Sequence, residues 1–182
     1  MKTRKITKKL KKYKKEGKFF SLLSQFDDNY IAAIVLDVND KFVVLQEFFD
    51  FRKLTKSILP ISSIESLRRN ANDKYYQTIL EGEGILKKVK DNYTMDISTW
   101  KSISRALKIS RITIMIDCEM SKDEFFGIGE VKNVNKDSVE IRYFDAQGIL
   151  DETNTRFPYD IITKLSFDSK YANVFSKYTR EF

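Results

Sequence analysis

The chain has no histidine, one cysteine, two prolines and six glycines in 182 residues, and each shortage excludes something. Without histidine there is no imidazole to serve as general base, proton relay or metal ligand. Serine and cysteine triads of the usual kind fall with it. A lone Cys118 allows neither an internal disulfide nor a cysteine-based zinc site. No apolar run approaches the roughly 20 residues of a membrane-spanning helix. The stretch MKTRKITKKLKKYKKEGKFF is charged, with no apolar core or cleavage site behind it, and does not read as a secretory signal. The expectation is a protein of the cytoplasm with no membrane span. What is present is enough to fold: 42% hydrophobic residues, among them 14 Phe, supply a core for one domain or two small ones.

The formal charge of +7 is unevenly placed. Residues 1–18 hold ten basic side chains and one acid, Glu16, a net of +9, which leaves −2 on the other 164 residues. Within this segment Ile6, Leu10 and Tyr13 fall at i, i+4 and i+7, a narrow helical stripe with lysines around it and Gly17 as a stop. A helix docked by that stripe, with a solvated lysine face, is the plainest reading. The same lysines, Lys5, Lys8, Lys9, Lys11, Lys12, Lys14 and Lys15, are the candidate contacts to a partner or to nucleic-acid phosphates. The stripe is too narrow for strong membrane insertion.

The chain matches itself. IVLDVNDKFVVLQEFF (residues 34–49) lies over GEVKNVNKDSVEIRYFD (129–145), pairing Val35 with Val131, Val38 with Val134, Asn39 with Asn135, Val43 with Val139 and Phe48 with Phe144, each 96 apart. Past a loop two residues longer in the second copy, Pro60, Ile64 and Leu67 match Pro158, Ile162 and Leu165, and Lys74–Tyr75 then matches Lys170–Tyr171. Upstream, Ile6 and Leu10 sit opposite Ile103 and Leu107. An ancestral duplication accounts for this order. It divides the chain into a first copy at 1–80, a linker at 81–96 containing Gly82 and Gly84, and a second copy at 97–182.

Each copy reads as a helix, five short strands and a closing helical turn. In the second, Trp100, Ile103 and Leu107 form the helical stripe after an N-cap at Ser98 or Thr99. Residues 111–119 alternate with period two, Ile112, Ile114 and Ile116 on one face. The turns VNDKF and VNKDSV read as hairpin tips, where Asn and Asp tolerate left-handed backbone. Tyr75 and Tyr171 read as aromatics closing the bottoms of the two cores. Strands so short and closely spaced favour small barrels over an open sheet. The expected fold is therefore mainly β within an α+β class, two tandem five-stranded barrels.

Helix followed by five bent strands resembles the Sm-like (SH3-like small barrel) fold over residues 4–80 and 97–180. The second copy is also similar to small bacterial proteins of unassigned function with a G-x-I/V…V-x-I…F-D-x-x-G…P…I-x-x-I…S-x-Y signature. It carries Gly129, Val131, Val139, Ile141, Phe144, Asp145, Gly148, Pro158, Ile162, Leu165, Ser169 and Tyr171. The first copy departs, with Ile34 at the glycine position and no glycine in 50–56. Sm-family RNA binding implies an Arg/Lys-Gly pair between the last two strands. The connections here, Pro60-Ile61-Ser62-Ser63-Ile64 and Pro158-Tyr159-Asp160-Ile161-Ile162, lack it.

Asp117, Glu119, Asp123 and Glu124 make an acidic string, readable as an acidic partner surface or, more remotely, as a carboxylate metal or acid/base site. No Asp-x-Asp-x-x-Gly loop accompanies it, and Gly82–Gly84 lacks the Gly-Lys-Ser/Thr of a phosphate loop. No catalytic, cofactor or metal set is therefore assigned. The functional expectation is a non-enzymatic protein–protein interaction module, of the kind that serves as immunity or accessory partner to a bacterial toxin or mobile element. RNA binding through the lysine segment and the barrels is the alternative.

Overall fold

The computed structural model describes residues 2–89, 94–119 and 125–181. The chain is a mixed α+β protein, mostly antiparallel strand, and divides into two compact units, Met1–Thr94 and Met95–Phe182. The first contains α1 (Lys2–Lys15), β1 (Phe19–Ser24), β2 (Ile31–Val38), β3 (Phe42–Phe49), β4 (Arg52–Pro60), a 3-10 turn (Ile61–Ser63), β5 (Ile64–Arg68), α2 (Ala71–Gly82) and a second 3-10 turn (Leu86–Lys88). The other contains α3 (Trp100–Ser110), β6 (Thr113–Cys118), β7 (Phe125–Val134), β8 (Ser138–Tyr143), β9 (Thr155–Pro158), β10 (Lys164–Phe167), α4 (Lys170–Phe175) and a 3-10 turn (Ser176–Tyr178). Among the described residues no helix is long and apolar enough to cross a membrane.

Within the first unit the strand order is β5-β1-β2-β3-β4, and within the second β10-β6-β7-β8-β9. The expected closed barrels are not found. Among the described residues no pairing joins β4 to β5 or β9 to β10, so each unit keeps an open antiparallel sheet. In the first unit the 3-10 turn Ile61–Ser63 carries the chain past β4 to the far side of β1 instead of folding β5 onto β4.

The two units share their cross-strand register. Val35 faces Leu45 and Val38 faces Val43, with a β-bulge between Val35 and Asp37. Val131 faces Ile141 and Val134 faces Val139, with a bulge between Val131 and Asn133. Phe42 pairs with Pro60 and Ser138 with Pro158. Both prolines end their strands, where a missing N–H interrupts no ladder. The register also corrects one position. Ala33 pairs with Glu47 as Gly129 pairs with Tyr143, so Ala33, not Ile34, stands opposite the signature glycine. At Gly129 a Cβ would lie 2.1 Å from the Arg142 carbonyl oxygen, so only glycine fits that backbone.

The stripe of α1 is the seam of the first core. Ile6, Leu10 and Tyr13 are buried against Phe20, Leu22, Ala33, Val35, Val43 and Leu45, and Tyr13 packs on Phe20 at 5.1 Å. Left-handed Gly17 ends the helix and lets Lys18 N–H reach the Tyr13 carbonyl at 3.0 Å. The opposite face of this sheet takes α2, whose Tyr76 stacks on Phe19 at 4.8 Å while Leu80 is wholly buried. Residues 83–89, part of the expected linker, form the stop of α2 and the 3-10 turn after it, with Val89 buried. In the second unit Trp100, Ile103 and Leu107 of α3 are buried, and Thr99 caps the helix through the Ser102 N–H at 3.0 Å.

Two expectations fail locally. The tips at Asn39 and Asn135 use no left-handed residue. Asn39 Oδ1 instead accepts the N–H groups of Lys41 and Phe42, both at 2.7 Å, which closes the turn by side chain. Tyr75 and Tyr171 close nothing, being 70% and 60% exposed. One position further on, Tyr76 and Ala172 face inward, because an α-helical turn at that point rotates the buried face by one residue.

Candidate functional site

The units differ sharply in charge: twenty basic and twelve acidic residues give the first +8, while thirteen and fourteen leave the second at −1. The basic segment is not a loose arm, because α1 is held by its buried stripe. Docking sorts its lysines. Lys11 pairs with Asp40 at 2.8 Å, Lys14 with Asp37 at 2.6 Å and Lys12, weakly, with Glu16 at 3.8 Å. Lys9 donates to the Leu67 carbonyl at 3.0 Å and lies over the Tyr13 ring. The Lys11 hydrogen bond and charge hold the Asp40 carboxyl below its ordinary value.

Lys5, Lys8, Lys12 and Lys15 recur at i, i+3, i+7 and i+10, so they line the exposed face opposite the stripe. This row runs about 15 Å along the helix. Like charges so spaced each cost a few tenths of a kcal/mol, a standing repulsion that an anionic partner would relieve.

A second feature was not read from the sequence. The β3–β4 hairpin turns at Asp50 and Phe51 with φ of +45° and +57°, left-handed at both positions, where Asn-Gly is the usual choice. A left-handed phenylalanine is strained, and the surroundings have to hold it. Tyr76 does so: its hydroxyl accepts the Phe51 N–H at 2.7 Å and its ring stacks on Phe51 at 4.5 Å. The braced turn leaves Phe49 66%, Leu54 51% and Phe51 40% exposed, with the exposed cations Arg52 and Lys53 between them. Lys53 reaches back to the Lys88 carbonyl at 3.2 Å. The signal for it was the string FFDFRKL, an aromatic run interrupted only by Asp and carrying no glycine for its turn.

The acidic string is not assembled into a site. Asp117 is half-buried near the end of β6, and its carbonyl accepts Thr163 N–H at 2.9 Å and Thr163 Oγ–H at 2.8 Å. Glu119 follows the strand, exposed, while Asp123 and Glu124 lie outside the described residues. Among the described residues no group of three or more carboxylates or thiols is placed to hold a metal ion. Cys118 is buried, and burial together with the charges of Asp117 and Glu119 pushes its thiol up to about 12, so it stays a neutral packing group at ordinary pH. No family model, no curated protein and no solved structure matches this chain.

Proposed function

We propose that the chain is a non-enzymatic protein–protein interaction module built from two copies of an Sm-like unit, acting as an immunity or accessory partner. The carrying observation is the braced β3–β4 hairpin. Phe49 and Leu54 leave large apolar surface in solvent beside a strained turn that Phe51 anchors on Tyr76. Exposed aromatics beside Arg52 have the composition of an interface centre, and the cations Arg52 and Lys53 suit an apolar partner segment with acidic neighbours. The shared strand order, shared bulges and paired registers support the duplication, and the strand order is compatible with an Sm-like unit.

The test is a pull-down from the native host with the wild-type chain and with Phe49→Ala/Leu54→Ala. Exposed truncations change folding stability by under about 0.5 kcal/mol each. A hot-spot aromatic contributes about 2 kcal/mol or more to a complex. A partner retained by the wild type and lost by the folded double variant is the expected result. Equal retention by both would refute the assignment.

The lysine row favours one second reading, binding of RNA along α1. Deleting residues 1–18 would strip the core of Leu10, so the test is Lys5→Gln/Lys8→Gln/Lys12→Gln/Lys15→Gln. If the row grips phosphates, affinity for a generic single strand falls steeply with salt, and the variant flattens that slope by up to about 0.7 per lysine removed.

A further inference from the structure

The second unit has a cleft of about 390 Å³ at the sheet positions whose counterparts in the first unit are buried. In the first unit Ile34 pairs across the sheet with Gln46, and Leu36 is the bulge residue between Val35 and Asp37. All three are buried, and Gln46 Nε2 donates to the Thr55 carbonyl at 3.0 Å and the Glu47 carbonyl at 3.1 Å. The twelve-residue α2 packs on the same face through Tyr76, which stacks on Phe19, the β1 partner of Ile34. In the second unit the same register positions are Glu130, paired across the sheet with Arg142, and Lys132 in the bulge. The helix that follows, α4, has only six residues. An apolar, covered face in one unit is thus a charged, open one in the other.

Arg142 is the centre of the cleft. One terminal nitrogen donates to Glu181 at 2.8 Å and the other, at longer range, to the Glu152 carbonyl at 3.4 Å. Its Nε–H is buried and has no acceptor among the described residues, an expensive position for a guanidinium donor. Lys132 is already paired with Glu130. Glu181 is mostly exposed, so its hold on Arg142 is weak and displaceable. Phe144 and Leu150 supply an apolar wall, and Arg111, left-handed at φ +52°, adds a cation at the rim. The lining cations exceed the lining carboxylates by one.

We propose that this cleft binds a small organic carboxylate, whose head group takes the Arg142 guanidinium from Glu181 and whose apolar body lies against Phe144 and Leu150. Planar two-oxygen recognition is what a guanidinium fork favours, and the single excess positive charge suits a monoanion. The reading is independent of the hairpin and of the lysine row.

The probe is benzoate, titrated into the full chain at constant ionic strength and followed by proton–nitrogen NMR. The expected result is saturable shifts at Lys132, Phe144 and Leu150 and at the Arg142 Nε–H, with a dissociation constant of roughly a millimolar for a ligand this small. Glu181→Gln, a surface change, removes the internal competitor and tightens binding by up to about fivefold. Arg142→Gln abolishes saturation, and inorganic phosphate binds more weakly than benzoate. Absence of saturable shifts in Glu181→Gln overturns the proposal even if Arg142→Gln fails to fold. So does undiminished benzoate binding by a folded Arg142→Gln chain, or phosphate binding as tightly as benzoate.

Discussion

Asp73 ties three elements of the first unit together through one carboxylate. It accepts Ser21 Oγ–H from β1 at 2.6 Å and the Asn70 N–H at 2.8 Å, while Arg68 of β5 approaches both of its oxygens at 3.4 Å. Its own N–H donates back to Asn70 Oδ1 at 3.1 Å, completing a capping box at the start of α2. The Arg68 guanidinium also stacks on Tyr30 at 4.3 Å. Asp73→Ala removes a buried charged acceptor and half of the box. Hydrogen bonds to charged groups contribute about 1.5–3 kcal/mol each, non-additively. A cap contributes about 1 kcal/mol. Arg68, partly exposed, can return to water, so the expected loss is about 3 kcal/mol, and Asp73→Asn, which keeps the shape, loses about half of that.

Urea denaturation by far-UV circular dichroism measures the loss. Fluorescence would report elsewhere, since the only tryptophan, Trp100, belongs to the second unit. Hydrogen exchange over residues 64–82 locates the change. The pH dependence is a second check. Burial pushes the Asp73 carboxyl up, but the bonds from Ser21, Asn70 and Arg68 outweigh it and hold the group below its ordinary value. A carboxyl depressed in the folded state contributes stability above its unfolded value, near 3.9, and loses it as pH falls through the folded value. The gap between wild type and Asp73→Asn should therefore be constant from pH 5 to 7 and shrink below about pH 4. A loss under about 1 kcal/mol for Asp73→Ala, or a gap that widens in acid, refutes the reasoning.

Leu10→Ala, at a wholly buried position of α1, should cost about 2–5 kcal/mol in the same denaturation, and a loss under 1 would mean the helix is not docked. Gly129→Ala puts a Cβ 2.1 Å from a backbone oxygen and should cost at least about 3 kcal/mol. Gly82→Ala meets nothing within 4 Å in a helix end and should be neutral or stabilising by up to about 1 kcal/mol, read as a rise in melting temperature. Cys118, its thiol pushed up to about 12, should resist a thiol reagent at pH 8 until the chain is unfolded, and immediate labelling would contradict its burial.

Features set by periodicity were legible. Ile6, Leu10 and Tyr13, like Trp100, Ile103 and Leu107, are apolar at helical spacing, and a helix can bury such a stripe in only one way. The paired valines at 35 and 131 and at 43 and 139 were legible because strand register repeats what sequence register sets. What was misread depended on geometry that spacing does not carry. Asn39 marks its turn as expected but closes it by accepting two N–H groups, an alternative that composition cannot separate from left-handed backbone. Tyr75 and Tyr171 each open a short apolar turn, which reads as closing a core, yet both lie on the outer face of their helices.

The two candidate sites escaped notice for opposite reasons. The β3–β4 hairpin breaks a local rule, since Asp50–Phe51 adopts a turn that its residues disfavour, and Tyr76, 25 positions away, is what makes it tenable. Arg142 breaks no local rule. An arginine in a strand reads as an exposed face, and only its alignment with Gln46 identifies it as a position that the other unit buries. Set against Ile34, Leu36 and Gln46, the trio Glu130, Lys132 and Arg142 puts charge where the first unit packs a buried face, a contrast present in the sequence itself. Where two units share strand order and register, the informative differences are those at matched positions: the first unit packs Ile34, Leu36 and Gln46 into a buried face, and the second holds Glu130, Lys132 and Arg142 there.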